Sequence, residues 1–95
     1  GARKDQLRKL LHVAKTVRSG NFTVRYPVDE DEGVVNEIAE VLNDILEMNE
    51  NMMNEFGRVS KIVGQEGKLT ERASIGPVRG GWATGMEAMN SLISN

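Results

Sequence analysis

Residues 34–56 read VVNEIAEVLNDILEMNENMMNEF, and neither proline nor glycine interrupts them. From Val35 onward, apolar residues of one stripe recur at intervals of three, four and three, which is the heptad seam of a coiled-coil helix. The phase of the seam is lost after residue 45, because a strict heptad would bury Asn49. Such a break marks the point where a helix passes from one bundle to the next. We therefore predict one long helix that is shared by two bundles. The seam residues are Val35, Ile38, Leu42 and Ile45.

Shorter apolar stripes predict a helix on each side of this one. The first covers residues 3–18, and Gly20 can end it in the left-handed conformation. Apolar positions also continue beyond residue 56 as far as Val63, so we expect the long helix to cross Gly57 without a break. The stripes consist of Leu10, Ala14 and Val17 in the first helix and of Trp82, Met86, Met89 and Ile93 in the last.

The segment between the first two helices, NFTVRYPV at residues 21–28, alternates apolar and other side chains. Alternation of this kind is typical of a β-strand. The sequence offers no second strand to pair with it, and a lone strand leaves its backbone groups unsatisfied. We therefore interpret the segment as an extended connector laid along helices. A second, glycine-rich connector follows at residues 65–80.

The two halves of the chain resemble each other. A shift of 47 residues places GNFT (20–23) on GKLT (67–70) and VLNDIL (41–46) on AMNSLI (88–93). Before the glycine the shift is 46, so the second half carries one extra residue there. We interpret the halves as a duplicated unit of helix, glycine, connector and helix.

Composition excludes several classes of function. The chain has 95 residues, no cysteine and a formal net charge of −2, which argues against disulfides, thiolate metal sites and bulk attraction to nucleic acid. No apolar run approaches the ~20 residues needed to span a bilayer, so we expect a cytoplasmic segment without membrane insertion. Each half offers only two narrow apolar stripes, too little to close a core alone. A twofold partner is therefore implied.

Each half of the chain resembles the HAMP module. The resemblance rests on the order of four features: a helix, Gly-x-apolar, a connector with spaced apolar residues, and a helix with apolar-Asn-x-apolar. That module occurs in histidine kinases, adenylyl cyclases, chemoreceptors and phosphatases. VGQEGKL at residues 63–69, followed by Trp82, is similar to units of the poly-HAMP arrays of hybrid histidine kinases. The resemblance covers nearly the whole chain. It departs from the family at residues 33–36 and 80–83, where the usual Asp-Glu-apolar-Gly opening of the second helix is missing.

The resemblance implies an all-α fold of two concatenated parallel four-helix coiled-coil bundles formed by a homodimer. Each chain then gives two parallel helices and an extended connector to each bundle. A connector that returns over the full helix length has enough residues to do so. The implied first unit (3–50) consists of helix 3–18, connector 19–33 and helix 34–50. The implied second unit (51–95) consists of helix 51–64, connector 65–80 and helix 81–95. Helix 51–64 is continuous with the helix that precedes it.

The family's functional positions can be carried over residue by residue. Ala14, matched by Ser60, falls where family members often have a small core residue that has been proposed to ease axial helix rotation. The implied core and switch residues are Leu10, Ala14, Val17, Ile38, Leu42 and Ile45 in the first unit and Phe56, Ser60, Val63, Met86 and Met89 in the second. In the connectors, the turn glycine is matched by Gly20 and Gly67. The first hydrophobic residue that plugs the bundle is matched by Phe22 and Leu69. The second is matched by either Tyr26 or Val28 in unit 1 and by either Ala73 or Ile75 in unit 2.

No catalytic, cofactor or metal site is expected, and hence no enzyme. His12 lacks the acid and proline that usually follow a phosphoacceptor histidine. GQEGKLT at residues 64–70 is too short between its glycines for a phosphate loop and lacks a preceding strand. The consecutive acids of residues 29–32 lack the alternating spacing and glycine of a calcium loop. No pair of groups is placed for acid–base or nucleophilic work.

The function implied is a relay that passes a conformational signal along a dimeric receptor or sensor histidine kinase by repacking helices. Its partners would be a second copy of the chain and the adjoining sensor and output domains. The basic segment 3–18 and the acidic residues 29–55 are either neighbouring helices that attract each other or two solvated faces. Two alternatives remain open: a static dimeric spacer, and a helical-repeat adaptor with a 47-residue period.

Overall fold

The computed structural model describes residues 1–29 and 33–94. The chain divides into two compact units, unit 1 (Gly1–Glu50) and unit 2 (Asn51–Asn95). The described residues form helices and irregular segments without any strand, which confirms the all-α prediction. The acids at residues 30–32 of the first connector, and Asn95 at the end of the last predicted helix, lie outside the described residues. The helices are α1 (Ala2–Arg18), α2 (Val34–Val59), a π-helix (Ser60–Gln65) and α3 (Gly80–Ser94).

Helix α2 is a single α-helix of 26 residues, and the boundary between the two units falls inside it. Gly57 lies within α2, so the helix crosses this glycine without interruption. A helical glycine costs up to ~1 kcal/mol relative to alanine. The apolar contacts of α2 with the rest of each unit therefore outweigh a local preference for a break.

In unit 1, helices α1 and α2 run in the same direction. Ala2, Arg3 and Gln6 from the first turns of α1 line the same surface depression as residues 33–36 at the start of α2. Further along, both helices and the connector meet in one core. Its buried residues are Val13, Tyr26, Val35, Ala39 and Leu46, with Leu10, Val17, Phe22, Val24 and Leu42 half-buried against them.

Unit 2 repeats this arrangement with its own helices. Gly85 of α3 lies close to Met52 of α2. A Cβ at residue 85 would be 3.2 Å from the Met52 Cε, and the glycine therefore allows the two helices to come close together. Further along the chain, Val63 of the π-helix that continues α2 and Ile93 of α3 line one groove. The two helical segments of unit 2 therefore run in the same direction. The buried core residues are Val59, Ala73, Met86 and Ile93, with Met52, Phe56, Val63, Ile75 and Met89 half-buried against them.

The last part of the helix predicted to extend to residue 64 is a π-helix, at Ser60–Gln65. A π-helix bonds each N–H to the carbonyl five residues back and so holds more residues per turn than an α-helix. Unit 2 has one more residue than unit 1 between its last apolar position and the turn glycine, four steps from Val63 to Gly67 against three from Val17 to Gly20. The wider turn accommodates this extra residue without moving the glycine away from the helix end.

Candidate functional site: connector clamps and exposed apolar faces

The connector of unit 1 is held to α2 by one asparagine side chain. The Tyr26 N–H donates to Asn43 Oδ1 at 2.8 Å, and Asn43 Nδ2 donates to the Tyr26 carbonyl at 2.9 Å. Tyr26 is only 3% exposed, so its backbone groups need partners inside the protein. The primary amide supplies a donor and an acceptor side by side. Asn43 therefore does for the connector what a neighbouring strand would do in a sheet.

Unit 2 contains the same clamp. The Ala73 N–H donates to Asn90 Oδ1 at 2.7 Å, and Asn90 Nδ2 donates to the Ala73 carbonyl at 3.1 Å. In both units the two residues are 17 apart in the chain. The repeat in the sequence places the two asparagines at the same position, and this match is the only sequence signal that points to a shared role. We call the Tyr26–Asn43 and Ala73–Asn90 pairs the connector clamps.

The paired candidates that the sequence left open in each connector differ in burial. Tyr26 is buried while Val28 is 38% exposed, and Ala73 is buried while Ile75 is half-buried. The turn glycines Gly20 and Gly67 have φ angles of 93° and 69°, a region that favours glycine. Of the residues expected to plug the bundles, Phe22 is half-buried against the unit 1 core and Leu69 is 60% exposed.

An arginine stabilises the bend of each connector. Arg25 Nη1 donates to the carbonyls of Phe22 and Val24 at 2.6 and 2.8 Å. Arg72 Nη1 donates to the carbonyls three residues and one residue earlier, at 3.1 and 2.7 Å. The second nitrogen of Arg25 forms an ion pair with Glu50 at 2.6 Å. Helix, glycine turn, arginine bend and asparagine clamp thus recur in both units in the same order.

Unit 2 has an additional set of polar contacts between the first helix and the connector. Arg58 forms ion pairs with Glu55 and Glu71, each at 2.7 Å, and donates to the Arg72 carbonyl at 2.8 Å. Glu55 in turn accepts the Ser74 N–H at 2.6 Å. We call Glu55, Arg58, Glu71 and Ser74 the ionic clamp. The hydrogen bond from Arg58 lowers the pKa of the Glu55 carboxyl from its ordinary value, against a smaller opposing effect of burial.

The ionic clamp makes the stability of unit 2 depend on pH. Because the pKa of Glu55 is lower in the folded state, the carboxylate stabilises the fold above its unfolded-state pKa, and the contribution is lost as pH falls through the lowered value. We expect the melting temperature of the wild type to exceed that of Glu55→Gln at neutral pH and the two to converge in acid. Thermal unfolding across that pH range measures this. A constant difference at all pH values would contradict the role of the charge.

Unit 1 leaves a broad apolar surface uncovered, which we call apolar face 1. It forms an open groove of about 550 Å³ between α1 and α2. Three of its large side chains are substantially exposed, with Ile38 at 47%, Val41 at 59% and Ile45 at 40%. The sequence predicted all of its apolar members except Val41 as bundle core. Face 1 consists of Leu10, Ala14, Glu37, Ile38, Val41, Leu42 and Ile45.

Unit 2 has a corresponding but smaller surface, apolar face 2, with a groove of about 320 Å³. Leu92 at its edge is 81% exposed, and the sequence did not single it out. Met86, which was expected at a bundle core, is buried within the core of its own unit. Face 2 consists of Phe56, Val59, Ser60, Val63, Gly64, Met89, Leu92 and Ile93.

Among the described residues, His, Cys, Asp and Glu nowhere gather in a group of three or more that could hold a metal ion. None of the described helices is both long and apolar enough to cross a bilayer. His12 is exposed on α1. No protein-family model matches the chain, and no solved structure matches it. Function must therefore be argued from the two apolar faces and the clamps.

Proposed function

We propose that this chain is a pair of HAMP-type signal-relay units that act as a parallel homodimer and catalyse no reaction. In this proposal each unit contributes two parallel helices to a four-helix bundle, and the second copy supplies the other two. The clamped connector fixes the spacing of the two helices of one chain. The apolar faces are the surfaces at which the copies meet.

Apolar face 1 is the observation that carries the proposal. Soluble monomers rarely expose contiguous apolar surfaces of this kind, and large ones mark interaction sites. Face 1 has side chains from both parallel helices, so a second copy related by a twofold axis parallel to them can cover it with the same residues. Such packing completes a four-helix core, which a unit of this size needs for stability.

A relay needs two packings of similar free energy that a signal at one end can bias. Helix α2 carries residues of both units, Ile38 and Ile45 in unit 1 and Phe56 and Val59 in unit 2. A rotation of α2 about its axis would therefore change the packing at both faces. In this proposal the small Ala14 in face 1 allows α1 to take up two rotational positions.

The oligomeric state tests the architecture. We expect light scattering to give the mass of a dimer over a wide range of concentrations, with a helical circular dichroism spectrum. A dimer with the copies antiparallel would contradict the proposal, and a spin label placed near the start of α1 distinguishes the two orientations. A folded helical monomer would also contradict it and would favour the helical-repeat adaptor.

A chimera with a histidine kinase separates a relay from a static spacer. Ala14→Leu adds volume to face 1 and should shift the balance between kinase and phosphatase output. Ser91→Leu also adds volume, at an exposed position of α3 outside both faces, and serves as the control. An unchanged output in both variants would show that the dimer acts only as a spacer.

A further inference from the structure

The two units carry different side chains where the first helix meets the connector. In unit 2 this place is occupied by the ionic clamp of Glu55, Arg58, Glu71 and Ser74. The Glu55 side chain is only 11% exposed there, so the clamp fills the space between helix and connector with paired charges. Both acids pair with the one cation, and the Ser74 N–H is satisfied.

The counterparts in unit 1 follow from the shifts of 46 residues in the helix and 47 in the connector. Lys9 replaces Glu55, His12 replaces Arg58, Val24 replaces Glu71 and Pro27 replaces Ser74. Both acids are absent, and Pro27 has no N–H to be satisfied. At this place unit 1 has an open groove of about 510 Å³. The groove is lined by Arg8, Lys9, His12, Val13, Val24, Arg25 and Pro27, and we call it the basic groove.

The cations of the basic groove are only partly paired among the described residues. Arg8 and Lys9 are exposed and form no ion pair with any described residue. Arg25 is already engaged, with Glu50 and with two connector carbonyls. Val13, which is buried, and Val24, which is half-buried, add apolar side chains to its lining. The groove therefore combines a positive rim with an apolar interior.

We propose that the basic groove binds an acidic segment of a partner protein. Carboxylates of the segment take the places that Glu55 and Glu71 hold in unit 2, and its apolar side chains cover Val24 and Pro27. An inorganic anion would make no use of the apolar lining. A flat anionic membrane would engage the cations on every side of α1 rather than those of one groove.

This site is independent of the proposed dimer, because the basic groove and apolar face 1 have no residue in common. Binding at the groove and dimerisation can thus be measured on the same sample and can fail separately. A loss of peptide binding with an intact dimer would count against the groove alone. A monomeric chain that still binds the peptide would count against the dimer alone.

The probe is a short fluorescent peptide in which glutamates alternate with alanine and leucine, titrated with the full chain and followed by anisotropy. Lys9→Glu replaces an attraction by a repulsion, and we expect it to weaken binding about five- to tenfold. Lys4→Glu makes the same charge change at an exposed position of α1 outside the groove and should have little effect. Equal losses in both variants would overturn the proposal in favour of diffuse attraction to α1.

A second variant closes the groove from within. Lys9→Glu combined with His12→Arg and Val24→Glu gives unit 1 the charges of the ionic clamp. We expect this variant to remain helical and to lose peptide binding, with a somewhat lower melting temperature than the wild type because Val24 also packs against the core of unit 1. Binding that persists in it would overturn the proposal, as would equal affinity for a peptide with glutamine in place of glutamate. Inorganic phosphate and vesicles of anionic phospholipid are tested in the same way. If either binds and Lys9→Glu weakens that binding as much as it weakens peptide binding, the proposal of an acidic protein segment as the ligand is overturned.

Discussion

The Ile38→Asp variant is expected to be a folded monomer at concentrations where the wild-type chain is a dimer. Ile38 is 47% exposed in the single chain and lies in apolar face 1, so an aspartate there remains solvated until a second copy covers it. Burying the unpaired carboxylate then opposes association. A twofold interface contains the substitution twice. We expect a loss of roughly 4–6 kcal/mol of association free energy, or about 10³- to 10⁴-fold in Kd.

Val28→Asp is the matched control for this experiment. Val28 is 38% exposed, close to the exposure of the face 1 residues, but it lies on the connector outside both faces. The control should stay dimeric. Sedimentation or light scattering reports the mass, and circular dichroism shows whether the helices are retained. Leu42→Asp is less informative, because Leu42 also packs against the core of its own unit. A dimer of unchanged affinity in Ile38→Asp would contradict the assignment of face 1 as the interface.

The helices could be predicted from the sequence because their signals are local. Apolar spacing and the absence of breakers indicated α2 from residue 34, and the structure begins it at Val34 and carries it through Gly57. The π-helix was not predictable in the same way. The repeat showed that unit 2 has one residue more than unit 1, but an extra residue can equally be absorbed in a loop. The choice depends on the contacts at both ends of the turn.

The division of apolar residues between core and exposed face was predicted only in part. The spacing places Val35, Ile38 and Leu42 on one stripe of α2, whereas the structure buries Val35 and leaves Ile38 exposed. A second series, Val35, Ala39 and Leu46, faces the core of unit 1. Two apolar stripes that overlap on one helix look like a single broad stripe in the sequence. Only the position of α1 and the connector decides which edge is covered.

The connector clamps were missed because they depend on long-range pairing. The alternation in residues 21–28 showed that the connector needs hydrogen-bond partners, and the sequence offered no strand to provide them. A side chain can provide them as well, but spacing alone does not show which one. The match of Asn43 with Asn90 was the available signal. In an otherwise apolar helix face, an asparagine repeated at the same position indicates a polar task that both units share.

Asn43→Ala is expected to destabilise unit 1 by about 2–4 kcal/mol, because it leaves both the N–H and the carbonyl of the buried Tyr26 without their partner. For a domain of this size, a loss of that magnitude corresponds to a decrease in melting temperature of roughly 10–25 °C. Thermal and urea unfolding followed by circular dichroism measure it. Asn90→Ala should have a similar effect on unit 2, since the Ala73 groups are paired in the same way.

Asn54→Ala is the control, because Asn54 is an exposed residue of the same helix and lies outside both cores. Alanine favours the helix, so this variant should be as stable as the wild type or slightly more stable. Asn43→Asp keeps an acceptor for the Tyr26 N–H but loses the donor to its carbonyl, and the loss should deepen as pH rises and the carboxylate faces that oxygen. If Asn43→Ala had the same melting temperature as Asn54→Ala, the clamp would contribute nothing to stability. Packing of the Tyr26 ring alone would then have to hold the connector in place.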